Sequence, residues 1–265
     1  MHKQYLHRLW VLNFKLGSQI MNYFLTKIFY SYFVLSLLLF SYSPLANELV
    51  SECQSLYNSE DYDVAYEVCK TAAEQGDAEA QYLYSKFYYD GLGREIDEVE
   101  SIRWLRMASD QGFPIAQYDL GRMYLYGHGV EVDVTKTLFY TMLAANNGHA
   151  IAKGFLGTIY YDGIFGIEQN YSLAAQWYTL AAKQNIPIYQ LFLARMYRKG
   201  LSLPQDNVLS LMWYDLSNND SSEAVKFWSY SEITELINEM DPYEIMDALR
   251  LSISCSNSNF EDCGY

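Results

Sequence analysis

The sequence predicts an all-α fold, a right-handed α/α solenoid of helix-pair repeats closed by a C-terminal capping helical segment. Three observations carry the prediction. A short glycine motif recurs at a nearly fixed interval, and the apolar and small residues between its copies follow helical spacing. No segment alternates with the period of a strand. Half of the residues are apolar, with 26 tyrosines against 5 prolines, a mix suited to packed helices with aromatic knobs.

The N-terminus reads differently from the rest. Residues 1–46 hold Lys3, Arg8, Lys15 and Lys27 and no acid, and the apolar run "IFYSYFVLSLLLF" spans Ile28 to Phe40. A basic flank, an apolar core and a small residue at Ala46 read as a secretory signal, with Met21 as an alternative start. An uncleaved inner-membrane anchor facing the periplasm is the alternative, and it is the one route by which the chain would meet a membrane. The expected address is therefore periplasmic or secreted. The full chain has 18 basic and 32 acidic residues; without the leader's four basic residues, 14 remain against 32, a charge of −18. That balance argues against nucleic acid as a partner, because phosphates need a basic face, and favours a basic partner if charge steers the encounter.

Four cysteines, Cys53, Cys69, Cys255 and Cys263, lie at the two ends of the mature chain. An even count behind a secretory leader suggests disulfides, and the local pairings Cys53–Cys69 and Cys255–Cys263 are the economical choice among three connectivities. No Cys-x2-Cys pair or neighbouring histidine supports a zinc site.

The middle of the chain repeats. "YYDGLG" at 88–93 returns as "YLYGHG" at 124–129, "YYDGIFG" at 160–166 and "YRKGL" at 197–201. The first glycines, Gly91, Gly127, Gly163 and Gly200, are spaced by 36, 36 and 37, the extra residue being Phe165. Ala80, Ala116 and Ala152 keep the same register, with Tyr189 in the fourth place. In the second copy, helix A is expected from Ala116 to Tyr126, with Gly121 inside it as a close-packing site. Gly127 and Gly129 then turn the chain, Asp133 caps, and helix B runs from Val134 to Asn146. On helix B an aromatic (Trp104, Tyr140, Trp177) precedes a small residue (Ala108, Ala144, Ala181) by four. Because the glycine loop recurs and follows no strand, it is not a phosphate cradle. His128 takes the place of Leu92 and Ile164, as an exposed turn residue would.

"AQYDLGRMYLYGHGVEVD" (116–133) and "AAQWYTLAAKQN" (174–185) resemble the Sel1-like repeats, relatives of tetratricopeptide repeats with a glycine-containing loop between their helices. Ser85 and Ala194 replace the helix-A glycine seen at Gly121 and Gly157, and the last loop, "KGLSLPQD", lacks its second glycine. After the leader over 1–46, the resemblance implies a degenerate capping helix pair over 47–77. Four repeats would follow over 78–224 (78–113, 114–149, 150–186 and 187–224), then capping helices and a disulfide tail over 225–265. "MDPYEIMDALRLSISC" resembles the family's closing helix, with Asp241 as cap and Pro242 as first helical residue. The spacing of Cys255 and Cys263 resembles that of the bridged, cysteine-rich Helicobacter members.

Catalytic chemistry has few candidates. Only His128 and His149 remain behind the leader, and no Gly-x-Ser-x-Gly, His-Glu-x-x-His or Ser-x-x-Lys pattern occurs. The chain is expected to be no enzyme and to need no cofactor. The alternative is a cell-wall or β-lactam-acting enzyme of the cysteine-rich type. A stacked array offers surface instead. Three columns on successive A helices are expected to line its concave face: Tyr82, Tyr118, Gly154 and Leu191; Lys86, Arg122, Thr158 and Arg195; Asp90, Tyr126, Asp162 and Lys199. The middle column is mainly cationic and suits an acidic segment of a protein partner. The resemblance implies a scaffold or adaptor in a bacterial envelope complex, an immunity protein that occludes a secreted toxin, or a factor touching host proteins.

Overall fold

A computed structural model describes residues 44–219 and 223–263. The expected leader, up to residue 43, lies outside the described residues. Twelve helices and no strand are found among them, and the chain divides into two compact units, 1–77 and 78–265. No helix among the described residues is long and apolar enough to cross a membrane.

The described part of the first unit is a helix pair, α1 (Pro44–Asn58) and α2 (Tyr62–Glu74). Glu60, in the turn, takes a left-handed φ of 62°. Cys53 and Cys69 face each other across the pair and form a disulfide, both fully buried. Ala65, Ala72 and Ala73 of α2 are buried as well.

The second unit repeats one design. Its pairs are α3 (Ala78–Asp90) with α4 (Glu98–Asp110), α5 (Pro114–Tyr126) with α6 (Val134–Asn146), α7 (Ala150–Asp162) with α8 (Tyr171–Ala182), and α9 (Pro187–Lys199) with α10 (Asn207–Asn219). Each helix packs on the next, the ordering of an α/α solenoid. The A helices end because Gly127, Gly163 and Gly200 enter left-handed backbone, at φ of 76°, 68° and 64°, which glycine adopts without strain. The B helices begin because Asp97, Asp133, Asn170 and Asp206 each accept a backbone N–H from three residues on, at 2.8–3.0 Å. Such a cap contributes about 1 kcal/mol. Helix A of the second repeat starts at Pro114, two residues before the expected Ala116. Proline's fixed φ suits a first helical position, and its missing N–H is not needed there.

Close packing follows the small residues. A Cβ on Gly157 would sit 2.5 Å from the Tyr178 ring, and one on Gly121 would sit 3.3 Å from the Thr141 hydroxyl. Buried glutamines tie neighbouring elements together. Gln117 donates to the Ser109 carbonyl at 3.1 Å and accepts from Asn147 at 2.8 Å, while Gln190 donates to the Ala182 carbonyl at 3.2 Å. The core is segmented along the array. One cluster holds Ile102 to Tyr124, another Ala144 to Ile159, and the largest runs from Ala174 to the C-terminal tail.

Two helices follow the last repeat, α11 (Glu223–Glu239) and α12 (Pro242–Asn257). The expected boundary at 224 falls in the first turn of α11. α12 opens with a capping box, in which Asp241 accepts from the Glu244 N–H and Glu244 accepts from the Asp241 N–H. It packs on α10, as each A helix packs on the preceding B helix, and Ser252 donates to Asp215 there at 2.5 Å. The Cys255–Cys263 disulfide folds the tail back on α12. α11 packs instead on α10 and on α9, over the A-helix side of the last repeat.

Candidate functional site

The first column belongs to the joints between repeats. Leu191 is fully buried, so its expected place on an open face is corrected. Gly154 is also covered: a Cβ there would lie 2.0 Å from the Tyr189 ring. Tyr82 packs on Phe113, with ring centroids 5.5 Å apart, and Tyr118 stacks on His149 at 4.6 Å. Neither tyrosine lines the pockets described next.

His149 is the N-cap of α7, its Nδ1 accepting the Ala152 N–H at 3.1 Å. Burial lowers its pKa, Asp119 opposes the shift, and Lys153 adds to it. A protonated ring cannot accept that bond. The folded pKa lies below the unfolded one, so this contribution is complete above about pH 6.5 and shrinks as pH falls toward the lowered value. We expect His149→Asn, which caps without titrating, to flatten the fall of Tm between about pH 6.5 and 5. Melts of the two proteins across that range check this, and parallel curves would count against it.

The second and third columns form two pockets. The smaller, about 30 Å³, gathers Lys86, Arg122 and Tyr126 with Tyr89, Asp119, Ser101 and His128. The larger, about 470 Å³, gathers Thr158, Arg195 and Lys199 with Tyr161, Asp162, Phe192, Tyr178, Tyr214, Arg198, Glu232 and Glu235. α9 supplies the cations, the α7 and α8 tyrosines the wall, and α11 the glutamates.

The cations of the expected column, and Arg198 beside it, pair with the protein's own acids. Lys86 pairs with Asp90 at 3.0 Å, Arg122 with Asp119 at 3.4 Å, and Arg198 with Glu239 at 2.5 Å. Arg195 holds both oxygens of Glu232 through Nε at 3.0 Å and one through a terminal nitrogen at 2.6 Å, and the Tyr214 hydroxyl donates to the same carboxylate at 2.5 Å. Burial would raise the Glu232 pKa, but the bonds from Arg195 and Tyr214 hold it below the usual carboxylate range. Burial and the charge of Glu232 push the Tyr214 phenol strongly up, so it stays a donor. Lys199 is exposed and has no ion pair among the described residues.

The partner of Arg122 was legible as an acid three residues earlier on one helix. Glu232 was not, because it comes from α11, outside the repeat period. His128 is no bare turn residue: its Nδ1 lies 3.0 Å from Glu98, and its ring meets Tyr89 edge-on at 5.9 Å. Among the described residues no group of His, Cys, Asp and Glu could hold a metal, and all four cysteines are in disulfides. The arrangement offers complementarity: aromatic walls with paired charges at the rim.

The family described as Sel1 repeat matches residues 78–113, 114–149, 150–186 and 187–222. No curated protein matches the chain. Among solved structures, a Sel1 repeat protein from Oxalobacter formigenes is 29% identical over 63% of this chain and 48% of its own, with a TM-score of 0.60. The protective antigen c5321 of uropathogenic Escherichia coli, described as displaying an SLR fold, is 28% identical over 81% of this chain and 47% of its own, with a TM-score of 0.64. The chain thus spans about half the length of these two structures. Immunity protein Pa5087 from Pseudomonas aeruginosa is 20% identical over 73% of this chain and 83% of its own, with a TM-score of 0.37, too low to carry an argument.

Proposed function

The chain belongs to the Sel1 repeat family, and from that premise we propose that it is a protein-binding scaffold whose partner sits on the A-helix face. The observation that carries the reading is the pair of pockets on that face. Their columns recur from repeat to repeat, and Lys86, Arg122 and Arg195 are already paired within the chain. A surface of this kind binds by shape and aromatic contact, with charge setting approach and register. The chemistry of this reading is association without bond making.

The address proposed is the periplasm or the exterior. Two fully buried disulfides suit an oxidising compartment, and the basic and apolar N-terminal segment suits export. With a formal charge of −14 on the whole chain, the favoured partner carries net positive charge, and occlusion of a basic secreted toxin is the most specific role that fits.

The test is capture by the oxidised chain 47–265 from envelope and secreted fractions, repeated with Tyr89→Ser, Tyr126→Ser and Asp162→Lys, which line the two pockets. We expect one stoichiometric partner, weakened about five- to thirtyfold by each substitution and released by salt. Retention of that partner by all three variants would sink the reading.

A further inference from the structure

α11 carries two apolar sides. One packs on the core through Val225, Ile233 and Leu236, with Glu232 meeting Arg195 and Tyr214 at its edge and Glu239 reaching Arg198. The other faces outward: Phe227 is 79% exposed, Tyr230 74%, Trp228 50% and Ile237 38%. Phe227, Tyr230, Thr234 and Ile237 follow at intervals of three, four and three, so they share one stripe. Thr234 does not break it, because its hydroxyl donates to the Tyr230 carbonyl at 2.8 Å. A cleft of about 610 Å³ runs beside the stripe, with Phe227, Trp228 and Tyr230 on one wall and the Arg195–Glu232 and Lys226–Glu223 pairs along its edge. An amphipathic helix normally has one apolar side, turned to the core; a second one left to solvent beside a cleft marks a docking surface.

We propose that this stripe seats a basic amphipathic helix of another protein, on the outer side of the helix whose Glu232 closes the larger pocket. Charge selects the occupant. Of the four glutamates of α11, Glu223, Glu232 and Glu239 pair with Lys226, Arg195 and Arg198. Glu235 is exposed, with no ion pair among the described residues, and the chain as a whole carries −14. A second copy would bring like net charge face to face. A partner helix with leucines on one side and lysine or arginine on its flanks fills the stripe and meets Glu235 and the chain's net negative charge with opposite charge.

The probe is an 18-residue peptide of leucine and lysine patterned as an amphipathic helix, titrated into the oxidised chain 47–265. A leucine–glutamate counterpart and a scrambled leucine–lysine peptide are the comparisons. We expect the patterned basic peptide to bind at least tenfold tighter than either, with a blue shift of tryptophan emission that is lost in Trp228→Phe. Phe227→Ser with Tyr230→Ser should weaken it at least tenfold while melting like the parent, since both side chains face solvent. Equal binding of the acidic peptide overturns the proposal without relying on any variant. So does undiminished binding to the double variant. A concentration-dependent dimer that the double variant abolishes overturns it in favour of a second copy.

Discussion

Gly154→Ala is expected to destabilise the repeat array by about 3 kcal/mol, seen as a Tm lower by about 6–12 °C. The added Cβ would lie 2.0 Å and 2.1 Å from two carbons of the Tyr189 ring. That ring cannot retreat. It is 8% exposed, stacks on Tyr178 at 6.0 Å, meets Phe192 at 6.2 Å, and its hydroxyl donates to the Ile151 carbonyl at 3.3 Å. Burial has also driven its phenol pKa strongly up, which marks how little solvent reaches it. The other joints place the large residue on the opposite side. Tyr82 packs on the cluster holding Ala116, and Tyr118 on the cluster holding Ala152. Gly154→Tyr with Tyr189→Ala rebuilds that arrangement, and the double variant should melt well above Gly154→Ala. A double variant no more stable than the single one would show that the two positions do not exchange volume.

Replacing Cys53 and Cys69 by serine should remove about 3 kcal/mol from the first helix pair. The bridge closes a sequence separation of 16 residues, and the helices it joins have 15 and 13 residues, lengths that are marginal in isolation. Backbone amides of residues 50–74 should exchange about a hundredfold faster in the variant, with little change across 114–199. Unchanged protection in the pair would mean that burial of Ala65, Ala72 and Ala73 holds it without the cross-link. The Cys255–Cys263 bridge spans a separation of 8, so its removal should loosen the tail more than the stack.

The fold was largely legible because its instructions are local and repeated. Glycines that turn the chain, aspartates that cap, and small residues that admit a neighbouring helix recur at the same places, so one copy decodes the rest. The site was legible only in part. A 36-residue register puts Gly154 and Leu191 on the face of Tyr82 and Tyr118, yet the exchange of a large and a small residue between Tyr189 and Gly154 closes that column in the third and fourth repeats. The cationic column was read without its acids. Asp119 was within reach of sequence reasoning, lying one turn from Arg122, but Glu232 and Glu239 reach Arg195 and Arg198 from a helix that obeys no repeat. Contacts between elements of unrelated register are set by tertiary packing, and spacing cannot announce them.

The segmented core has a consequence for how the molecule comes apart. Its buried clusters follow one another along the chain, and a solenoid's stability is a sum of units and of the joints between neighbours. The joints are unequal. Where Gln81, Gln117 and Gln190 place a buried amide, the third repeat places Lys153, whose burial lowers its pKa and opposes the charged form. The last cluster is enlarged by α11, α12 and a disulfide. Loss of structure should therefore be graded, starting in the early repeats and reaching the C-terminal third last, so that no single unfolding free energy describes the chain.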